Sequence, residues 1–312
     1  MIRHLLLAIA TLICYPLCAQ SDFDLTQRWF NESMYNPAAA GNSYTTGVFL
    51  HGRAQWVGID GAPNTQVATF DTYVEHLRSG FGVGVIRDEI GYLNSYTAKL
   101  SYAYHIPLSY KSGLALGLSA GVLNRNRNIK DNMSFDPNDP ALLYKNTSDY
   151  APEFDFGFEY KGPLKVGAAV RHLGLYNNAD LPNPSVNIWA YASSRFNLIP
   201  AISIEPAVSY MFHNHVGRYE AGAILYFLKT DNLLRYNDRF WVGAMVRFNG
   251  QLALLAGINA TKQMRVGYSI DYGVKNDLVS VSKWGTHEVF VSWQLKRIFY
   301  KDALCPAYKK RK

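Results

Sequence analysis

The chain has 312 residues, a formal net charge of +7 and a mean hydropathy of −0.11. This hydropathy excludes a membrane protein built from a bundle of apolar helices, but it does not exclude a β-barrel, because the interior of such a barrel is polar. Aromatic residues make up 14% of the chain, which fits the aromatic girdles that membrane barrels place at both interfaces.

Residues 1–19 have the pattern of a secretory signal peptide. A short polar start is followed by residues 5–14, which are apolar but too few to span a bilayer, and Ala19 supplies a small residue before a predicted cut at Gln20. A short anchor helix is the alternative. After cleavage the chain keeps one cysteine, Cys305, so an internal disulfide is excluded and a free or intermolecular thiol is expected.

Residues 20–43 do not alternate like a strand. The apolar side chains that can share one side of a short helix or irregular segment are Phe23, Trp29, Phe30 and Met34. Asn36 and Pro37 then break the pattern. We expect this periplasmic segment to plug the lumen of the barrel that follows or to close its mouth, because it carries too many aromatic residues for disorder; a frayed terminus is the alternative.

From residue 44 to 298, apolar and polar residues alternate, as in strands with one apolar and one polar face. The apolar faces are rich in aromatic residues, and segments of about 10–15 residues suit tilted strands that cross a bilayer. Pro206 lacks a ladder donor, so a bulge or a strand end is expected there. The pattern predicts an all-β fold, a transmembrane antiparallel β-barrel of fourteen strands at 45–55, 65–76, 80–87, 95–106, 113–124, 153–161, 164–173, 186–196, 201–212, 217–228, 239–249, 251–260, 263–273 and 286–296.

Charged residues of both signs fall on the predicted lumen face. They are Lys99, Glu153, Asp155, Glu159, Arg171, Glu205, Glu220, Arg247, Arg265, Asp271 and Glu288. Opposite charges that face each other across a narrow barrel can form a satisfied network that fills it. We expect a filled interior; a polar path through the lumen is the alternative.

The segment between the first two strands is the candidate partner-binding loop. If both chain ends lie in the periplasm, this loop faces the outside. Its two glycines permit positive φ and its proline stiffens the exit, so the loop can hold an aromatic anchor in a fixed pose. The residues assigned to partner contact are Trp56, Gly58, Ile59, Asp60, Gly61 and Pro63. A loop folded inward to seal the barrel is the alternative.

Histidines are the remaining candidates for chemistry. His213 and His215 could form one side of a metal site, but no third ligand is evident, so a polar loop is expected. A hydrolase would need a serine and an acid beside His105 or His287. The chain has no phosphate-binding loop, dinucleotide fingerprint or paired CxxC motif. We therefore expect no enzyme activity, cofactor or metal.

Residues 299–312 follow the last strand and are predicted to form a basic periplasmic tail. Its basic run can contact an acidic surface of a periplasmic partner; a solvated tail is the alternative. The residues assigned to this contact are Cys305, Lys309, Lys310, Arg311 and Lys312.

Several stretches together resemble the PorP/SprF family of type IX secretion system membrane proteins from Bacteroidota. They are residues 35–41 (YNPAAAG), 55–65 (QWVGIDGAPNT), 80–85 (GFGVGV), 87–91 (RDEIG) and the Cys-Pro pair at 305–306. The resemblance implies a fourteen-stranded outer-membrane barrel of the fatty-acid-transporter (FadL) type. It also implies partners: the periplasmic ring of the secretion system or a peptidoglycan-binding protein, and secreted cargo, such as a gliding adhesin, that carries a C-terminal sorting domain.

The predicted function is to anchor, or to help export, secreted or gliding proteins at the outer membrane. The barrel would contact outer-membrane lipid, while its loops and termini hold partners on either side; nucleic acid is not an expected partner. A FadL-like channel for hydrophobic or small solutes is the main alternative, and an outer-membrane hydrolase is a further one.

Overall fold

The computed structural model describes residues 23–43, 45–128, 146–174, 176, 181, 184–213, 216–230, 236–248, 250–273 and 284–295. Its strands are β1 (Thr46–Ala54), β2 (Asn64–Val74), β3 (Ser79–Ile90), β4 (Leu93–Pro107), β5 (Gly113–Asn128), β6 (Asn146–Lys161), β7 (Lys165–Arg171), β8 (Asn187–Ser193), β9 (Phe196–Ile199), β10 (Ile202–His213), β11 (Val216–Thr230), β12 (Tyr236–Arg247), β13 (Gln251–Asn259), β14 (Met264–Gly273) and β15 (Thr286–Leu295). Short 3-10 helices lie at Arg28–Phe30, Glu32–Met34, Pro37–Ala39 and Glu75–Leu77.

The strands form one closed antiparallel barrel. Except for β8 and β9, which both pair with β10, each strand pairs with its neighbours in the chain, and β15 returns to pair with β1 from Thr46 opposite Leu295 to Ala54 opposite His287. Because β8 and β9 share one place in the wall, the fifteen strands occupy fourteen wall positions. The predicted fourteen-stranded barrel is confirmed, and among the described strands only β9 pairs on one side alone.

One wall position is interrupted where the sequence predicts a single strand over residues 186–196. β8 ends at Ser193, β9 begins at Phe196, and both pair with β10. The Pro206 carbonyl of β10 accepts a hydrogen bond from the Ser194 N–H at 3.2 Å, so the side of Pro206 that lacks a donor faces the interruption. The expected bulge or end at Pro206 is therefore wrong: β10 continues through it, and the neighbouring strand breaks instead.

The two rims of the barrel differ in their connections. β1 begins and β15 ends at one rim, which we call the terminal rim; the opposite rim, where β1 ends and β2 begins, is the loop rim. At the terminal rim, Glu75–Leu77 joins β2 to β3 and residues 162–164 join β6 to β7. At the loop rim, nine residues (55–63) separate β1 from β2. Short turns at one rim and longer loops at the other are typical of outer-membrane barrels.

The outward side chains form an apolar surface. Along β1, Val48 and Leu50 are exposed whereas Phe49 and His51 are buried, so the predicted alternation places the apolar face outside. Contiguous exposed apolar surface of this extent marks a membrane-contacting wall. Within the described residues, no helix is both long and apolar enough to span a bilayer.

Residues 23–42 lie inside the lumen, as the plug prediction expects, and we call them the plug. The Thr26 hydroxyl donates to Asp271 of β14 at 2.7 Å, whereas the Asn36 amide donates to the Phe158 carbonyl of β6 at 3.0 Å. Because β14 and β6 lie on opposite sides of the barrel, the segment crosses the lumen. Its N-terminal part lies towards the loop rim, and its last residues reach the terminal rim.

Candidate functional site

The N-terminal part of the plug is held by a buried carboxylate of the wall. Glu288 accepts hydrogen bonds from the backbone N–H groups of Thr26 at 2.5 Å and Gln27 at 3.2 Å. His51 Nε2 lies 2.8 Å from the same carboxylate, and Arg53 forms an ion pair with it. Glu288 thus connects the plug to two strands of the wall, and the Arg53 guanidinium offsets the cost of burying its charge.

A second charge cluster surrounds the start of the plug. Arg28 pairs with Asp24 at 2.7 Å and with Glu220 at 2.6 Å, and Arg247 pairs with Glu220 at 2.8 Å and with Asp271 at 3.1 Å. Burial alone would raise the pKa of Asp24, but the guanidinium groups of Arg28 and Arg247 outweigh it and hold that pKa well below its usual range. The cluster is a network of paired opposite charges rather than a row of free charges along a path.

Aromatic rings fill the middle of the lumen. Trp29 lies with its ring centroid 6.3 Å from that of Trp189, and Tyr35 packs against the same ring at 5.4 Å. On the other side of the plug, Phe30 packs against Trp241 at 5.1 Å. These separations are those of favourable tilted and edge-on ring pairs. The aromatic side chains of the plug are therefore packed directly against those of the barrel wall.

The turn at residues 36–41 lies directly against the barrel wall. A Cβ atom on Gly117 would overlap the backbone of Pro37 and Ala38, and one on Gly80 would overlap the carbonyl of Ala40. Glycine is therefore required at these two wall positions because the plug backbone approaches the strand backbone closely. The sequence indicates this contact only through the glycines in these two strands. That they pack against the turn at residues 36–41 is seen only in the folded structure.

Asn36 fixes the conformation of that turn. Its side-chain carbonyl accepts the Ala38 N–H at 3.0 Å and caps the 3-10 helix Pro37–Ala39. Its amide group donates to the Phe158 carbonyl at 3.0 Å and to the Tyr191 hydroxyl at 3.1 Å. Asn36 thereby holds both the turn and its place on the wall.

Polar contacts close the plug at the terminal rim. The Gly41 N–H donates to Asp71 at 3.0 Å, and Lys161 Nζ donates to the Asn42 carbonyl at 2.7 Å. The Asn42 amide donates to Glu159. The end of the plug is thus bonded to strands β2 and β6 before the chain enters β1.

Most charges predicted to face the lumen are buried and paired, which agrees with a filled interior. Lys99 forms ion pairs with both Glu153 and Asp155, and its Nζ lies 2.8 Å from Oδ2 of Asp155. The Arg171 guanidinium lies 4.9–5.0 Å from two aromatic rings of the plug. Arg265 is half-buried near the terminal rim and has no ion-pair partner among the described residues.

The loop at residues 55–63 is tied to the turns on both sides of it. The Val57 N–H donates to the Gly285 carbonyl at 3.0 Å, and the Gly91 N–H donates to the Gly61 carbonyl at 2.9 Å. These bonds link the β1–β2 loop to the β14–β15 and β3–β4 connections, so it is an ordered part of the loop rim.

The residues predicted for partner contact in this loop differ in exposure. Gly58, Asp60 and Gly61 are exposed, Trp56 and Ile59 are half-buried, and Pro63 is buried. Gly58 and Gly61 have φ angles of 95° and 74°, and Trp56 also has a positive φ, of 44°, which the sequence does not signal. Sequence reasoning also missed Trp284, which is 67% exposed and lies beside Gly58.

A cavity of about 170 Å³, which we call the mouth cavity, lies inside the loop rim. Its buried apolar lining consists of Phe23, Ile86, Leu123 and Leu181. Its polar lining includes Asp88, Arg125, His172 and His213. His172 has a left-handed backbone with φ of 60°, which is uncommon outside glycine, although His, Asn and Asp adopt it more readily than other residues.

The candidate histidines have partners that do not suit hydrolysis. His105 Nε2 lies 2.9 Å from the Ala40 carbonyl, and His287 Nδ1 lies 2.5 Å from the Tyr268 hydroxyl. His213 is buried at the end of β10, whereas His215 lies outside the described residues. The described part of the chain contains no group of three or more His, Cys, Asp or Glu side chains that could hold a metal ion.

The predicted signal peptide and basic tail lie outside the described residues. The tail residues concerned are Cys305, Lys309, Lys310, Arg311 and Lys312. Their assigned contacts therefore remain predictions.

The closed wall, apolar exterior and filled lumen define the class of the protein as a plugged outer-membrane β-barrel. The chain belongs to the family of type IX secretion system membrane proteins PorP/SprF, whose model matches residues 17–293. The expected family is confirmed, and both the family and the fold are those of a non-enzymatic membrane barrel. No curated protein sequence matches the chain.

Solved structures with a similar fold are outer-membrane transporters and porins. The toluene transporter TbuX of Ralstonia pickettii is 13% identical with a TM-score of 0.52, and the match covers 84% of this chain and 92% of that one. The monoaromatic hydrocarbon channel CymD is 14% identical (TM-score 0.48, 87% and 92% covered), and Omp33 of Acinetobacter baumannii is 11% identical (TM-score 0.44, 81% and 99% covered). At these identities the likeness to TbuX concerns the fold alone, and the other two scores are too low to add to it.

Proposed function

We propose that this protein is an attachment site of the type IX secretion system in the outer membrane. Its loop rim faces the cell exterior and holds secreted or gliding proteins by their C-terminal sorting domains. Its terminal rim faces the periplasm and contacts the ring of the secretion machinery or a peptidoglycan-binding protein. The family of the chain supports the system to which it is assigned.

The observation that favours attachment over transport is the filled lumen. The plug contacts opposite walls through Thr26 and Asn36, and aromatic rings occupy the space between them. A solute would have to displace buried ion pairs such as that of Arg28 with Glu220, and breaking such pairs is costly. A barrel with a packed interior can still hold partners at both rims.

Two sets of residues are proposed for these contacts. At the loop rim they are Trp56, Gly58, Ile59, Asp60, Gly61 and Pro63, in a loop held in place by its bonds to neighbouring turns. On the periplasmic side they are Cys305, Lys309, Lys310, Arg311 and Lys312, whose charge suits an acidic partner surface. The exposed carboxylate of Asp60 can form an ion pair with a cationic group of the cargo, and the half-buried Trp56 side chain helps to fix the conformation of the loop.

Affinity purification of the tagged protein from cross-linked outer membranes tests the proposal. We expect recovery of ring components and of secreted proteins with a C-terminal sorting domain. Asp60→Lys should reduce cargo recovery, whereas Lys262→Glu, an equally large charge change at an exposed position of the terminal rim, should leave it unchanged. Deletion of residues 307–312 should reduce recovery of the ring. Recovery of neither class of partner by the wild type would contradict the proposal.

A channel for hydrophobic or small solutes is the second candidate function. The likeness in fold to TbuX favours it, since that protein is a toluene transporter. Uptake of toluene by proteoliposomes separates the two functions, because attachment predicts a rate equal to that of protein-free liposomes.

A further inference from the structure

We propose that the mouth cavity binds a single apolar side chain, aromatic or branched, of an extended peptide that approaches from the loop rim. The inference rests on the proposed function, because it specifies the chemistry by which a secreted partner is held. It is argued from the position, floor, size and polar lining of the cavity.

Among the described residues, the cavity opens towards the loop rim. Its lining includes the last residues of β3 and the first residues of β4. These two strands are joined at the loop rim. Ile90, at the end of β3, belongs to the lining and is 41% exposed. A ligand therefore reaches the cavity from the loop rim.

The floor makes the cavity a dead end. Phe23 of the plug lies there, 8% exposed, with the Arg171 guanidinium 5.0 Å from its ring and Tyr35 at 5.6 Å. Beneath it lie the ion pairs and aromatic rings of the plug. A group that enters from the loop rim stops at Phe23, so the cavity is suited to binding and not to passage.

The size of the cavity selects the ligand. A volume of about 170 Å³ is close to the roughly 150 Å³ of an apolar cavity known to hold one benzene molecule. Sites for larger organic ligands usually measure about 300–1,000 Å³. The buried side chains of Ile86 and Leu123 supply the apolar contacts that such a ring or branched chain needs. The cavity thus accommodates one large apolar side chain.

The polar lining favours a peptide over a hydrocarbon. Asp88 accepts a hydrogen bond from the Thr65 hydroxyl at 2.6 Å, and Arg125 forms an ion pair with Asp149. The lining also includes the side-chain amides of Asn94 and Asn126, and an amide carries both donors and acceptors that can bond to a peptide backbone. A hydrocarbon would remove water from these groups without replacing its hydrogen bonds, which costs affinity.

Two tryptophan substitutions in the full-length protein, reconstituted in lipid nanodiscs, test the proposal. Leu123→Trp fills the cavity, whereas Val122→Trp adds the same ring at the next position, which faces lipid and is 50% exposed. The probes are N-acetyl-phenylalaninamide, N-acetyl-glycinamide and toluene, and binding is measured by saturation-transfer NMR.

We expect the wild type to bind N-acetyl-phenylalaninamide and not N-acetyl-glycinamide. Leu123→Trp should weaken binding by about tenfold, because the added ring occupies the space of the ligand, whereas Val122→Trp should bind like the wild type. Equal weakening by both variants, or binding of toluene without binding of N-acetyl-phenylalaninamide, would overturn the proposal.

Photo-cross-linking of the wild type keeps the test decisive if Leu123→Trp does not fold. A diazirine analogue of N-acetyl-phenylalaninamide should label Ile86 or Leu123, and labelling confined to the lipid-facing wall would overturn the proposal. The outcome is independent of the recovery of secretion components. Binding of the probe by a protein that recovers no such component would support the proposed binding cavity and contradict the proposed function. Recovery of these components by a protein that does not bind the probe would support the proposed function and overturn the proposed binding cavity.

Discussion

The two ends of the plug are held in the barrel by different kinds of interaction. Towards the loop rim, residues 24–28 are held by charges, with Glu288 and Glu220 accepting bonds from backbone and guanidinium groups. Towards the terminal rim, residues 36–41 are held by close backbone contact with wall glycines such as Gly117. The charged contacts depend on a partner of opposite charge. The glycine contacts depend instead on the absence of a Cβ atom at the wall position. The comparison predicts different responses to small substitutions.

The largest effect is expected for Glu288→Ala. The change removes one of the two carboxylate partners of Arg53, which keeps only Asp271, and it removes the acceptor for the Thr26 and Gln27 N–H groups. A guanidinium with half of its ion pairing and two donors without that acceptor then remain buried. Loss of one partner of a buried pair costs about 3–5 kcal/mol of the free energy of unfolding. Denaturant titration of the refolded barrel measures the change; a loss no larger than that of an exposed pair would show that the charges do not hold the plug.

Gly117→Ala should have the next largest effect. The added Cβ overlaps the backbone of Pro37 and Ala38, and overpacking of this kind costs about 1–3 kcal/mol. Gly52→Ala is the matched control, because the nearest atom to its added Cβ is a Val289 methyl carbon at 4.0 Å. Thermal unfolding followed by circular dichroism compares the two. Equal melting temperatures would contradict the close contact of turn and wall.

Asn36→Ala sharpens the comparison at the same turn. It removes the cap on the Ala38 N–H and the bonds to Phe158 and Tyr191, without adding an atom to the wall. A lost cap with its buried partners costs about 1–2 kcal/mol. Asn36→Ser keeps a neutral oxygen that can accept the Ala38 N–H but loses the amide donor, so its melting temperature should lie between those of the wild type and Asn36→Ala. A Ser variant as unstable as the Ala variant would show that the cap contributes nothing measurable to stability.

Glu89→Ala should have the smallest effect. Glu89 pairs with Arg87 at 2.8 Å, but both side chains are 40% exposed. An exposed ion pair contributes below about 1 kcal/mol, so the stability should be close to that of the wild type in the denaturant titration used for Glu288→Ala. A loss as large as that of Glu288→Ala would remove the distinction between buried and exposed pairs.

Strand positions were predictable from the sequence because each follows from a local pattern. The alternation around Met264 and Tyr268 requires only that one face meets lipid and the other the lumen. The aromatic content of residues 23–34 likewise indicates burial within the barrel. The same alternation predicts that charges such as Glu220 and Asp271 face the lumen.

Contacts between distant segments were not predictable, because they depend on how the barrel closes. Nothing local to Gly117 indicates that it receives Pro37, and the missing donor of Pro206 interrupts the neighbouring strand instead of its own. The mouth cavity combines ends of β3, β4, β5 and β10 with Phe23, so its residues are brought together only by the barrel topology.

The conductance of the purified protein in planar lipid bilayers tests the central claim, that the plug closes the lumen. The structure predicts no steady current from the wild type across the physiological voltage range, because charges and rings fill the section between the rims. A steady, ohmic current of the size carried by an open porin would contradict it.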